Sequence, residues 1–400
     1  MNLPAYDFLA PRKIVFGWGK RAELGSLAAA LGRRAWIVCG SRTLERNGTL
    51  NQLQQHLAAA GVDAQHLLTI SREPEVADVD QAVAALRDAA DLETIKAGAP
   101  TGDVVIAVGG GAAIDLAKAV AALAPQPEPG SVLEYLEGVG TGRTIAAPPL
   151  PVIAVPTTAG TGSEATKNAV ISSFDPPFKK SLRDDRMMPQ VALVDPELTV
   201  SAPPEVTAHS GLDAITQLIE SYLSARAKPI PQALCLAGLQ GTVDALRRAY
   251  RQGTDRSARE IMAQAALFSG LALSNSGLGL AHGVAAALGV VAGIPHGLAC
   301  AVMLPTAMRV NRDCSPQRWI ALAEVLCGRP YTDAQAAAAA AIDTVEALAA
   351  ELAIPSRLRA LGITEAHIPA LVAGSRGNSM SGNPRQLSDE ELGALLTSLL

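Results

Sequence analysis

The stretch Asp103–Ala121, DVVIAVGGGAAIDLAKAVA, runs a block of β-branched residues through three consecutive glycines into a helical pattern. Val104 to Val108 are apolar without alternation, as expected of a strand buried on both faces. Gly109, Gly110 and Gly111 then turn the chain into a helix start. Three further runs have the same texture: AWIVCG (Ala35–Gly40), PVIAVPTT (Pro151–Thr158) and QVALVD (Gln190–Asp195). Between the first two strands lie helical patterns over Leu44–Ala60 and Val76–Leu92. Strands that alternate with helices predict a parallel sheet in an α/β domain.

After Asp195 the texture changes, because DPELTVSAPPEVTAHSGLDAI supplies turn prolines and a helix start and no comparable strand follows. The second half is predicted to be all-helical, with strong propensity over Thr332–Leu352 and a Ser388/Glu391 capping box before the last helix. The expected division is an α/β dinucleotide-binding domain over 1–198 and a helical metal-binding and substrate domain over 199–400. The proline- and glycine-rich span Ala124–Pro151 is read as a surface excursion, since the strand pattern resumes at once.

Two glycine-rich turns suggest a dinucleotide. At Gly109–Gly111, backbone N–H groups backed by a helix dipole can hold a pyrophosphate without meeting a Cβ, although tight helix–strand packing explains the triplet equally well. The second turn, PTTAGTGSEATKNAVI (Pro156–Ile171), combines the hydroxyls of Thr157, Thr158, Thr161 and Ser163 with glycines that admit a close ligand, a richness an ordinary solvated loop rarely has.

A second cluster is built from unlike residues. Helix spacing puts Asp213 and Gln217 one turn apart on one face, and His282 and His296 lie in a stretch between Glu260 and Arg309 that has no Asp, Glu, Lys or Arg. A carboxylate, an amide oxygen and two imidazoles suit a divalent first-row metal such as iron(II) or zinc. From residue types alone, satisfied buried polar groups stand as the alternative. His56 and His66 sit in surface-like surroundings, whereas His209, four residues before Asp213, is a candidate pocket residue.

Composition narrows the class. The chain has 400 residues, 49% of them hydrophobic, and a formal charge of -5 with acidic and basic residues interspersed, which argues against a nucleic-acid partner. Its five cysteines include no C-x-x-C pair, so a reducing cytoplasm is expected, and MNLPAYDFLAPRK does not read as a signal peptide. The uncharged stretch contains Ser274, Asn275, Ser276, two histidines and Pro295, so a buried core is expected there and no membrane partner.

IVFGWGKRAEL, GGGAAIDLAKAVA, PTTAGTGSEAT, KKSLRDDRMMPQVALVDPELT, GLDAITQLIESY, AHGVAAALGVVAGIPHG and SGNPRQLSDEEL, in this order, resemble the iron-containing (group III) alcohol dehydrogenase family over nearly the whole chain. The resemblance implies a dehydroquinate synthase-like architecture, an amino-terminal dinucleotide-binding α/β domain with a helical carboxy-terminal domain and a metal and substrate cleft between them. It makes Gly109, Gly110 and Gly111 the pyrophosphate turn with Asp115 nearby, places Thr157, Thr158, Thr161 and Asn168 at the cofactor, and matches Lys179 to the lysine that reaches the nicotinamide ribose. Asp213, His282 and His296 match three of four metal ligands, and Gln217 stands where many members have the remaining histidine. Ala286 replaces a pocket histidine and Ala112 a serine. Gly40, Ser41 and Arg42 replace a turn that carries an aspartate in NAD-preferring members, so NADP is not repelled.

The expected activity is metal-dependent, NAD(P)-linked interconversion of a small primary alcohol and its aldehyde, with Fe2+ or Zn2+, Asp213, His282 and His296 acting through the metal, and His209 as a proton-handling candidate. The expected partner is the alcohol or aldehyde substrate, and the expected assembly a homodimer or larger homo-oligomer. Alternatives are a glycerol-dehydrogenase-like or maleylacetate-reductase-like carbonyl reductase, or a cofactor-binding protein whose metal site has decayed. The loop Ser375–Arg385, SRGNSMSGNPR, is an expected pocket wall.

Overall fold

The computed structural model describes residues 5–90 and 102–400, which divide into two compact units. One comprises Leu9–Thr158 and Ser163–Thr199. Its strands are β1 (Lys13–Phe16), β2 (Arg34–Cys39), β3 (Asp63–Thr69), β4 (Asp103–Gly109), β5 (Val152–Pro156), β6 (Asn168–Phe174), β7 (Pro177–Arg183) and β8 (Val191–Val194). Its helices are α1 (Leu24–Ala29), α2 (Arg42–Arg46), α3 (Thr49–Ala59), α4 (Val76–Ala89) and α5 (Gly111–Leu123).

Six strands form one parallel sheet in the order β1-β8-β5-β4-β2-β3, and β6 and β7 pair separately as an antiparallel hairpin. β4 is central and wholly buried, as its unbroken apolar run requires, and each of its Val and Ile side chains contributes roughly 1.5–3 kcal/mol on burial. From β2 the chain passes outward to β3, and from β4 it passes the opposite way to β5. The carboxyl ends of β2 and β4 therefore flank the point where strand order reverses, the usual ligand crevice of an open α/β sheet. Close approach explains two glycines there: a Cβ on Gly40 would lie 2.6 Å from the Gly109 Cα, and one on Gly109 equally close to the Gly40 Cα.

Several details differ from expectation. The helix expected over Leu44–Ala60 is split into α2 and α3 by Gly48, whose φ of 80° no α-helix continues. The end of the helix expected over Val76–Leu92 falls at Asp91 and Leu92, outside the described residues; α4 itself runs to Ala89. The span Ala124–Pro151 is not a mere surface excursion, because Val132, Tyr135, Leu136, Ile145 and Leu150 are buried in the core against α5.

The second unit comprises Val200–Leu400 with Ala159–Gly162 and residues 5–8. It is helical: α6 (Pro204–Leu223), α7 (Pro229–Leu239), α8 (Thr242–Arg251), α9 (Arg256–Asn275), α10 (Leu280–Ala292), α11 (His296–Asn311), α12 (Pro316–Cys327), α13 (Ala334–Glu351), α14 (Ile368–Gly374) and α15 (Asp389–Ser398). Pro204 starts α6, the position where a missing N–H costs nothing, and the helix is buried almost throughout from Thr207 onward. Ala159–Gly162 is inserted against α9: a Cβ on Gly270 would lie 2.1 Å from the Gly162 carbonyl oxygen. The uncharged stretch is distributed over α9, α10 and α11, and among the described residues no single helix is long and apolar enough to cross a membrane.

Candidate metal centre

Three helices supply the chemistry of the helical unit. α6 buries Asp213 and, two turns later, Glu220. The Glu220 carboxylate accepts from the Ala281 N–H at 2.6 Å and lies 2.7 Å from His282 Nδ1, so it caps the positive end of α10 and fixes the His282 ring. Asn383 assists, its Oδ1 accepting from the Leu280 N–H at 3.0 Å and from Asn311 Nδ2 at 2.9 Å. Asn383 of the GNPR loop thus ties the start of α10 to the end of α11.

With Nδ1 held, His282 Nε2 faces Asp213 Oδ1 at 3.3 Å. His296, the first residue of α11, brings its Nε2 to 3.9 Å from the same oxygen, and Cys300, one turn along α11, lies with Sγ 3.7 Å from His296 Nε2. One ligand atom from each of Asp213, His282, His296 and Cys300 lies within 4.8 Å of every other. Asp213 and His282 are almost wholly buried, whereas 27% of the His296 side chain is exposed, so the cluster opens at His296.

The donor set fits a divalent cation. Asp213 Oδ1 and His282 Nε2 are buried and make no hydrogen bond among the described residues, a cost that a shared cation would remove. Burial works against the charged forms of both side chains, but their neighbours outweigh it. His282 and His296 hold the Asp213 carboxyl below its usual range, and Cys300, Asp213 and Glu220 hold His282 above its own. Burial also pushes the Cys300 thiol up to about 12.

Gln217 is buried one turn after Asp213, and its amide nitrogen donates to the Gly160 carbonyl at 3.2 Å and to Ser269 Oγ at 3.3 Å. His209 is half-buried in α6, and its backbone lies against the first turn of α11, since a Cβ on Gly297 would come 2.7 Å from the His209 carbonyl oxygen. Burial lowers its pKa.

In the α/β unit, Gly40, Ser41 and Arg42 follow β2, Gly109–Gly111 close β4 and start α5, and Thr157 and Thr158 follow β5, so three adjacent strand ends carry them. Ser41 caps α2, and the exposed Arg42 side chain has no hydrogen bond or ion pair among the described residues. Thr161 belongs to the segment that packs with the helical unit. Asn168 begins β6 opposite Arg183. Asp115 is turned inward, accepting from the Val170 N–H at 3.0 Å and pairing with the buried Lys118 at 2.9 Å. Lys179 pairs with Glu73 at 2.6 Å.

Glu220 and Cys300 escaped sequence reasoning. A signal existed for the second, because His296 and Cys300 are four apart in HGLAC and helical spacing puts them on one face. For the first there was the seven-residue offset from Asp213, two turns along the same stripe.

A parallel sheet with glycine turns at its switch point, and a buried carboxylate–imidazole centre in a helical unit, together define a nucleotide- and metal-using protein. Residues 11–196 match the family described as iron-containing alcohol dehydrogenase, and residues 207–400 its Fe-containing C-terminal part. The chain is 35% identical to long-chain-alcohol dehydrogenase 1 of Geobacillus thermodenitrificans over 89% of its own length and 86% of that protein's. It matches the crystal structure of a 1,3-propanediol oxidoreductase with a TM-score of 0.88 at 28% identity, covering 99% of this chain and 100% of that one. A sulfoacetaldehyde reductase from Bifidobacterium kashiwanohense in complex with NAD+ matches with a TM-score of 0.85 at 29% identity, covering 99% of both. The chain belongs to the iron-containing alcohol dehydrogenase family.

Proposed function

We propose that this metal-dependent, NAD(P)-linked oxidoreductase interconverts a small primary alcohol and its aldehyde at the centre formed by Asp213, His282 and His296. The observation that carries the assignment is the convergence of these three side chains, Asp213 and His282 buried with polar atoms that lack a hydrogen-bond partner among the described residues. When bound, the metal supplies Lewis acidity toward the substrate oxygen and the nicotinamide supplies the hydride acceptor or donor.

Asp213, His282 and His296 would hold the metal, and the Glu220 carboxylate, accepting from Nδ1, keeps His282 in the tautomer whose Nε2 presents a lone pair. The buried sides of the cluster exclude water, and the exposed flank of His296 admits substrate. His209 handles the substrate proton, since Ala286 provides no imidazole. The turn Gly109–Gly111 receives the pyrophosphate, with Thr157, Thr158, Thr161, Asn168 and Lys179 along the rest of the dinucleotide and Asp115 bracing the turn's helix. Five free cysteines support a reducing, cytoplasmic setting.

The test is metal analysis of protein purified without chelator, beside a screen of NADH and NADPH oxidation over small aldehydes. Asp213→Ala is expected to lose both metal and aldehyde reduction. Reduction that persists unchanged in this variant, in protein that never held a metal, overturns the proposal.

A further inference from the structure

We propose that Cys300 is the fourth protein ligand of the metal, so that this chain holds its cation with Asp213, His282, His296 and a thiolate in place of an amide from Gln217. The inference rests on the metal centre proposed above and deepens it.

Three observations carry it. First, the spacing fits a tetrahedral site. With bonds near 2.0–2.1 Å to nitrogen or oxygen and 2.3 Å to sulfur, ligand atoms should lie about 3.3 Å apart for nitrogen and oxygen and about 3.6 Å apart for nitrogen and sulfur. The observed separations are 3.3 Å for His282–Asp213, 3.9 Å for His296–Asp213 and 3.7 Å for Cys300–His296. Second, Cys300 is wholly buried in the same cluster as Asp213 Oδ1 and His282 Nε2, which have no hydrogen-bond partner among the described residues. Third, His296 and Cys300 stand one turn apart on α11, so one helix face brings both ligand atoms to the same point; the Gln217 amide nitrogen is engaged by the Gly160 carbonyl and by Ser269. That engagement ties Gln217 to the inserted segment Ala159–Gly162.

The exchange alters the centre's chemistry. A carboxylate, a thiolate and two neutral imidazoles balance a divalent charge, whereas the resemblance implies a set with one anionic ligand. Thiolate also shifts preference toward softer metals, favouring zinc over iron. Four protein ligands do not close the site, because zinc expands to five-coordination.

The experiment replaces the native metal with cobalt(II) in the full-length protein and records the near-ultraviolet thiolate-to-cobalt charge-transfer band, with bound cobalt counted directly. The wild type is expected to bind one cobalt with the band, and Cys300→Ala to lose the band and weaken cobalt binding by more than roughly 100-fold, beyond what loss of an outer partner costs. Gln217→Ala should keep the band and hold cobalt within about tenfold of wild type. Bound cobalt without the band, or a Cys300→Ala protein that retains both, overturns the role of Cys300 while leaving the metal centre standing. A wild type that binds no cobalt overturns both.

Discussion

At the residue scale, the turn after β2 is the proposed determinant of cofactor preference. Arg42 is exposed and has no side-chain partner among the described residues, and no carboxylate stands in the Gly40–Arg42 turn to repel a ribose phosphate. A charge-assisted contact to the phosphate of NADPH is worth about 1–2 kcal/mol, a factor of roughly five to thirty. Arg42→Ala is therefore expected to raise the KM for NADPH by about that factor and leave NADH unchanged; an unaltered ratio of the two contradicts the assignment. At the metal, legibility was uneven for a physical reason. Asp213, His282 and His296 stood out because polar groups in charge-free, buried sequence need compensation. Cys300 did not, because a buried cysteine is ordinary in any core and only its approach to α6 and α10 distinguishes it.

At the scale of elements, the strands buried on both faces were readable and the edges were not. β4, β5 and β8 are apolar throughout, whereas β3 and β1 end the sheet and carry DAQHLLT and KIVF with exposed positions. The hairpin β6–β7 alternates in burial without an apolar face long enough to show in sequence. The glycine turn separates packing from binding. Gly109→Ala drives a Cβ into the Gly40 backbone and should cost about 1–3 kcal/mol or more in denaturant unfolding. Gly110→Ala meets only Thr158, at 3.3 Å, and is expected to fold normally while weakening cofactor binding if the pyrophosphate sits at this turn as proposed, because the methyl would enter its space. Equal loss of stability in both variants would refute this division.

The short turn Ser163–Ala165 carries a pH dependence of its own. Burial pushes the Glu164 carboxyl from 4.5 up to about 7, against the opposing pull of its own backbone hydrogen bond and of Lys118. The folded state therefore favours the protonated acid. Its contribution is complete below the unfolded value and is lost as pH rises through about 7, a change of roughly 3 kcal/mol. Glu164→Gln should flatten the fall in stability between about pH 5 and about pH 8. A wild type equally stable at both ends, or a variant that keeps the full fall, contradicts the assignment.

At the scale of the whole molecule, a ligand held only by the folded state adds stability by mass action, about 2.7 kcal/mol at a hundred times its dissociation constant. Chelation is thus expected to lower the melting temperature of wild type, and Asp213→Ala should melt at one temperature with or without chelator. Coincident wild-type melts in the two conditions would sink this expectation.

The order of the sheet has a consequence for how the chain is made. β1 pairs with β8, so a strand made before β2 to β7 has its partner at residues 191–194, beyond the inserted segment Ala159–Gly162. Pairing at such sequence separation is slow, because loop-closure entropy must be met before the contact forms. Until β8 emerges, β5 presents an open edge that invites pairing with another nascent chain. Synthesis through the first half of this protein is therefore the interval of greatest exposure to aggregation, and a fragment ending before β8 is expected to be insoluble where the full chain is not.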